Sequence, residues 1–389
     1  MPWGDLADIQ RQGVLRLRET ARKASHPTPL SMTGGFESKH EYYGNVKSML
    51  PFKLIYSDAY YLPIGEHVFP AEKYKRVHDR LLAAGVAEAG DFLEPEPAAD
   101  QDILLVHTPE YVTKLKTGTL SPREELEMEV PYSRDLAEAF WLAAGGSILA
   151  AKQALTDGVA ISIGGGFHHA FPDHGEGFCM IHDVAVAIRR LQRDDKIRTA
   201  MTVDCDVHQG NGTAVIFAGT QTASALLPSA GASTLDSPAP GSVLGSARRG
   251  KIRGAQAGDV FTISLHQANN YPQWKPPSSI DVDLPDGIGD DDYLAWLDNA
   301  LSSGLRQFEP DLLCYVAGAD PYCEDQLGGL SLTIEGLKRR DALVFRVARA
   351  RNIPVMVTYA GGYAQNVEDT VIIHCNTVVA AKEVFAPEK

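Results

Sequence analysis

From Lys53 onward, short β-branched runs alternate with longer segments whose apolar residues recur every three or four positions. The runs KLIYS, ILLV, VAISI, IRTAMTV, VFTISL, DLLCYVAG and PVMVTYA read as strands. Residues 72–84, 135–156, 182–193, 291–307 and 334–351 read as helices between them. Several of the strand runs are apolar on both faces, which is what a parallel strand covered by helices on two sides requires. Strand, helix, strand repeated in this way predicts an α/β chain with a doubly wound, mainly parallel sheet and helices on both faces. No linker or change of composition divides residues 51–389, so a single domain is expected there, and a 44% hydrophobic content suffices for its core.

Two stretches depart from that pattern. Residues 1–50 read as an N-terminal extension carrying Arg11, Arg16, Arg18, Arg22 and Lys23. An organelle-targeting role stays open for it, although Asp5, Asp8 and Glu19 spoil the acid-poor signature of a transit peptide. Residues 220–257 are rich in Ala, Ser, Gly and Pro, end in a basic cluster from Arg248 to Arg253, and read as a mobile insertion loop. Lying between a helix and the following strand, this loop is expected at the amino edge of the sheet, away from the carboxyl edge where ligands bind in open α/β sheets.

Charge and cysteine content exclude several classes of function. A net charge of −14 argues against a surface that grips nucleic acid or anionic lipid, and would draw in a cationic substrate. The five cysteines are far apart with no CxxC pair, so neither a disulfide framework nor a thiolate zinc knuckle is expected. With no apolar run long enough to span a bilayer, the reading is an intracellular, cytoplasmic protein, or a nuclear one in a eukaryotic cell.

The chemistry-bearing residues fall at strand ends. After IRTAMTV the chain reads DCDVHQGNGT, with Asp204, Asp206 and His208 at alternate positions, which in an extended chain share one face. An Asp and a His joined by a second carboxylate give three ligands and leave an open position, as catalytic zinc requires; Asp320, directly after DLLCYVAGA, is the candidate. In GGGFHHAFPDHGEGFC, glycines deliver His168 and His169 to the same edge, where two imidazoles can divide proton removal and donation. In AGGY, Tyr363 follows two glycines, and its phenol could donate to an oxyanion. Each motif alone is compatible with helix capping or turn formation; their coincidence at successive strand ends is what points to a site.

These residues resemble the arginase/histone deacetylase superfamily from about Lys53 to about Ala380, most closely the class IV deacetylases and their bacterial relatives. The phrases HVFPAEKYKRV, DCDVHQGNGTAVIF, SLHQANNYP and the long run from AGADPYCEDQLGG to VTYAGGY carry the resemblance. It implies a histone deacetylase-like hydrolase that removes acyl groups from lysine side chains, with Asp206, His208 and Asp320 as zinc ligands. It further implies His168 and His169 as general base and its partner, Tyr363 polarising the scissile carbonyl, and Asp204 behind His168. Asn211 stands behind His169 where some classes carry an aspartate, so His169 is expected to be the less basic ring. A structural potassium ion is implied near Asp204, Asp206, His208, Ser264 and Leu265. Gly177, Phe178 and Tyr271 would line the substrate tunnel. Leu327 falls where polyamine-selective relatives place a carboxylate, which disfavours the alternative substrate class, acetylated polyamines and other small N-acyl amines. Glu129, in EVP, is expected at the rim as an acceptor for substrate amides. Oligomeric state and acyl chain length are not legible.

Overall fold

Among the described residues, nine strands form one sheet: β1 (Lys53–Ile55), β2 (Phe92–Leu93), β3 (Val159–Ser162), β4 (Ala200–Asp204), β5 (Lys251–Arg253), β6 (Val260–Gln267), β7 (Ile280–Leu284), β8 (Leu312–Val316) and β9 (Val355–Thr358). Their spatial order is β2-β1-β3-β9-β8-β4-β6-β7-β5, all parallel except β5. The helices around it are α1 (Lys73–Ala83), α2 (Asp100–Ile103), α3 (Pro109–Thr117), α4 (Pro122–Met128), α5 (Arg134–Asp157), α6 (Asp183–Arg193), α7 (Asn211–Ala218), α8 (Asp290–Gln307), α9 (Ile334–Arg349) and α10 (Val367–Phe385). This is the α/β architecture with a mainly parallel sheet that the sequence pattern predicts. The computed structural model describes residues 50–218, 251–253 and 258–386, all within the unit Val46–Lys389. The extension at residues 1–50, apart from Leu50, and most of the insertion at 220–257 lie outside the described residues.

Six of the seven expected strand runs form strands, and in β3, β4, β6, β8 and β9 every residue is buried, as helices over both faces require. The seventh does not. ILLV, at 103–106, closes the short helix α2 and the turn after it, with Ile103 buried and Leu104 42% exposed. A four-residue apolar run carries no period, and here one helical turn sorts its faces. Within the stretch expected to be loop, Lys251–Arg253 instead pairs antiparallel with β7, because the open edge of β7 offers unpaired N–H and C=O groups.

The parallel register aligns the strand ends that matter. Ser162, Thr358, Val316, Asp204 and Ser264 are cross-strand partners in sequence along the line β3-β9-β8-β4-β6. The loops leaving this line carry the paired histidines, AGGY, Asp320 and DCDVH, so chain segments distant in sequence emerge side by side.

A buried arginine ties two of these loops together. Arg340 of α9 is fully buried; its Nη1 donates to the carbonyls of Cys205, at 3.2 Å, and Gly318, at 2.6 Å, and its Nε donates to Asp341 at 3.0 Å. Asp341 also accepts from Tyr315 of β8 and Thr377 of α10. Removing the guanidinium leaves a buried carboxylate without its counter-charge. We expect Arg340→Leu to cost roughly 3–5 kcal/mol of stability in chemical denaturation; a loss below about 1 kcal/mol, the scale of a surface pair, would contradict this account.

Candidate active site

β4 ends at Asp204, so the strand period reaches only the first residue of DCDVH. Beyond it, convergence is made by side chains catching backbone amides two residues on. Asp204 Oδ1 accepts from the Asp206 N–H at 3.1 Å, and Asp206 Oδ1 from the His208 N–H at 3.0 Å. Asp320 enters from the loop after β8, its Oδ1 accepting from the Val207 N–H at 2.8 Å. Gly361, after β9, donates its N–H to Asp206 Oδ2 at 2.8 Å.

The outcome is a buried cluster. His208 Nδ1 lies 3.0 Å from Asp206 Oδ1 and 3.2 Å from Asp320 Oδ2, and one ligand atom from each of the three residues lies within 4.8 Å of the others. One ring nitrogen cannot serve both carboxylates, and Asp320 Oδ2 is buried without a hydrogen-bond partner. Burial and the Asp206 charge push the Asp320 carboxyl up to about 7. Burial disfavours a charged His208, but hydrogen bonds and charges from both carboxylates outweigh it and push the ring up to about 10. The centre therefore calls for positive charge, and an oxygen, oxygen and nitrogen donor set fits a divalent cation such as zinc. Glycine is required around it: a Cβ at Gly361 would overlap Asp320 Oδ2, and one at Gly318 would stand 2.7 Å from Asp206 Oδ2.

The histidine pair rests on a loop pinned by a residue that sequence reasoning missed. Buried Asp183, at the start of α6, accepts from the N–H groups of Gly166, at 3.0 Å, and Phe167, at 2.8 Å. Gly165, with φ +75°, leaves the space this carboxylate occupies. The rings of His168 and His169 lie 4.0 Å apart between centroids, tilted by 50°, yet their partners differ. His168 Nδ1 lies 2.6 Å from Asp204 Oδ2, and His169 Nδ1 lies 2.7 Å from Asn211 Oδ1. Burial opposes charge on both rings. At His168 the charges of Asp204 and Asp206 outweigh it and push the ring up to about 9. At His169 burial prevails, His168 and His208 add to it, and the ring is held well below the usual histidine range.

Tyr363 is buried, its ring centroid 6.3 Å from that of His208 and its N–H donating to Asp325 Oδ2 at 2.7 Å. Burial first, then the Asp206 and Asp320 charges, raise its phenol well above the ordinary value, so it stays a donor. Behind it, fully buried Lys73 of α1 donates to the Ala360 carbonyl at 2.7 Å; burial lowers its ammonium to about 8 against the raising charges of Asp320 and Asp206. Asp325 and Lys73, like Asp183, gave no motif signal, although Lys73 lies within HVFPAEKYKRV.

Gly177 and Phe178 both adopt positive φ, at 52° and 67°. A Cβ at Gly177 would stand 2.9 Å from the His169 ring, and the strained Phe178 is held by an N–H bond to the Met128 carbonyl at 2.9 Å. Phe178 lies 6.1 Å from Tyr363, and Tyr271 lies 5.0 Å from His169, centroid to centroid. Leu327 is half-buried nearby, its carbonyl accepting from Asn270. A cavity of about 960 Å³ opens beside this wall, lined by Tyr111, Glu127, Glu129, His174, Glu176 and Tyr271 among others. Glu129 has φ +60°, and burial followed by the Glu176 charge raises its carboxyl. Of the residues implied to hold potassium, Asp204 and Ser264 are register partners across β4 and β6, with Leu265 next along the strand.

The chain matches the histone deacetylase domain model over residues 67–378. An uncharacterized protein of Picosynechococcus sp. is 36% identical over 335 residues, covering 86% of this chain and 99% of that relative. Histone deacetylase 2 of Arabidopsis thaliana is 31% identical, covering 80% of this chain and 75% of its own. Acetoin utilization protein AcuC of Bacillus subtilis is 28% identical over 72% of this chain and 69% of its own. Among solved structures, an HDAC homologue complexed with SAHA superposes with a TM-score of 0.64 at 23% identity, covering 87% of this chain and 84% of that one. The HDA15 HD domain gives 0.62 at 22% identity, covering 86% and 91%.

Gly361→Ala should splay the Asp206 and Asp320 carboxylates and weaken divalent-cation binding about 10-fold or more in a competition assay with a metal indicator. Unchanged affinity would mean that the carboxylates need not hold their present spacing.

Proposed function

This chain belongs to the histone deacetylase family of hydrolases, and from that premise we propose that it is a zinc-dependent deacylase acting on acyl-lysine side chains of proteins. The observation that carries the reading is the buried Asp206, His208 and Asp320 cluster, with donor atoms within 4.8 Å of one another, lying beside two differently partnered histidines and a protonated phenol.

Asp206, His208 and Asp320 would hold the zinc ion, which when bound supplies Lewis-acid polarisation of the amide carbonyl and acidification of water. His169, held neutral, removes the proton from the attacking water as its oxygen adds to the carbonyl carbon. Tyr363 donates a hydrogen bond to the carbonyl oxygen as negative charge builds on it. His168, held charged by Asp204, stabilises that charge and gives its proton to the amine nitrogen as the carbon–nitrogen bond breaks. The products are a free amine and a carboxylate. Gly177, Phe178 and Tyr271 enclose the apolar stem of the substrate. We further propose a structural potassium ion beside Asp204, Asp206, His208, Ser264 and Leu265, where it would hold the DCDVH loop in shape.

Small N-acyl amines such as acetylated polyamines are the second reading. The acidic cavity wall, with Glu129 and Glu176, favours a cationic substrate of either kind, whereas Leu327 supplies no carboxylate to a distant ammonium. Turnover of a panel of acyl-lysine peptides, from acetyl to long fatty acyl, against acetylputrescine distinguishes the two. We expect peptide turnover to predominate and to cease on complete chelation of the metal. Tyr363→Phe should lower kcat by about 10²–10³-fold while divalent binding is kept. Turnover that persists after complete chelation, or a Tyr363→Phe enzyme with kcat undiminished, would refute the mechanism.

A further inference from the structure

We propose that Glu176 is a positioning residue for this hydrolysis: acting through the Asn211 amide, its carboxylate fixes the tautomer of His169 and supplies the negative charge that Asn211 lacks. The inference rests on the deacylase reading, and concerns a residue that lies within GGGFHHAFPDHGEGFC but has no part in the catalytic steps given above.

Glu176 Oε1 receives two hydrogen bonds, from Asn211 Nδ2 at 2.7 Å and from the Tyr271 hydroxyl at 2.5 Å. A carboxylate only accepts, so the NH₂ end of the Asn211 amide must face Glu176. The carbonyl end then faces His169 Nδ1, at 2.7 Å, and it also accepts from the Gly212 N–H at 3.0 Å. Because that oxygen only accepts, the proton of a neutral His169 sits on Nδ1 and its Nε2 keeps a bare lone pair. That is the form a general base needs, and it is dictated from two residues away.

Charge follows the same path. Asn211 orients the ring without stabilising a cation on it, but an amide held between a carboxylate and an imidazole is polarised by both neighbours, strengthening each bond. Burial works against a charged Glu176, yet hydrogen bonds from His174, Tyr271 and Asn211 outweigh it and hold the carboxyl below its usual range. His174 Nε2 lies 3.7 Å from Glu176 Oε2 and stacks on Phe171, so the second oxygen is tethered as well. Through Tyr271, whose ring meets His169 edge to face at 5.0 Å, the same carboxylate oxygen fixes the tunnel wall against the ring it orients. One side chain thus sets the tautomer of the base and the position of the substrate channel relative to it.

The test compares the zinc-loaded full chain with Glu176→Gln, which keeps shape and an accepting oxygen but loses the charge, each with and without Asn211→Asp. Two readouts are taken: kcat and KM on an acyl-lysine peptide, and the downfield proton resonance of the His169 Nδ1–H, assigned by its loss in His169→Phe. We expect Glu176→Gln to lower kcat about 10-fold with KM and metal content kept, and to move the resonance upfield. In the Asn211→Asp background, where the charge sits on the ring's own partner, Glu176→Gln should cause no further loss. A Glu176→Gln enzyme matching the wild type in kcat and resonance would overturn the proposal, as would an equal loss in both backgrounds. Should the wild-type chain hydrolyse no acyl amine, the deacylase reading fails by itself, and the resonance shift still decides whether Glu176 governs the ring.

Discussion

Two fully buried carboxylates, Asp206 and Asp320, facing a single imidazole nitrogen are the constraint on which the rest of the structure turns. Burial of unpaired charge is expensive, and a protein can meet that cost by protonation, by hydrogen bonds to the charged form, or by a cation. This chain uses backbone N–H groups on three of the four oxygens: His208 and Gly361 serve Asp206, and Val207 serves Asp320. The fourth, Asp320 Oδ2, has no hydrogen-bond partner among the described residues and lies 3.2 Å from the shared imidazole. Hydrogen bonds that are already made fix where the carboxylates stand, so a cation entering between them meets ligands that need little rearrangement. Lys73 adds a fixed buried ammonium behind AGGY, offsetting part of the negative charge gathered by Asp206, Asp320 and Asp325.

The two adjacent histidines illustrate how environment separates identical side chains. Their rings touch and share burial, but Asp204 adjoins one and Asn211 the other. The carboxylate makes His168 a held cation, and that cation then suppresses protonation of His169. Burial opposes charge on both rings, and the opposite directions arise because the Asp204 and Asp206 charges outweigh it at His168 while His168 and His208 add to it at His169. A pair of titrating groups pushed apart in this way is what acid and base roles require.

Much of this was legible in the residues, and the rest was not for identifiable reasons. Parallel strands buried on both faces announce themselves as apolar runs, which is why β3, β4, β6, β8 and β9 could be read directly. β7 was missed because Asp281 interrupts its apolar run; the carboxylate is fully buried and accepts from Gln209 and Ser278. α10 was missed because polar Thr370, His374 and Thr377 are among its buried residues and interrupt the apolar stripe. In the site, DCDVH, the histidine pair and AGGY stood out because their chemistry is local. The alternation argument for DCDVH, however, gave the convergence of Asp204, Asp206 and His208 a strand that ends at Asp204; side-chain bonds to backbone amides take over from there.

The residues that escaped are those whose work is done at long range. Lys73 reaches a carbonyl 287 positions away, and Arg340 bonds a carbonyl 135 positions earlier in the chain. Asp183 and Asp325 pin loops by accepting from backbone N–H groups, a service any acidic residue in the right place could perform and no spacing rule announces. Such residues are specified by the fold, because a carboxylate or guanidinium in a buried loop is tolerable only where the converging chain supplies complementary groups. The site is therefore assembled in two steps of different legibility: local motifs bring the reactive groups to the sheet edge, and buried long-range bonds hold them at distances where they can act together.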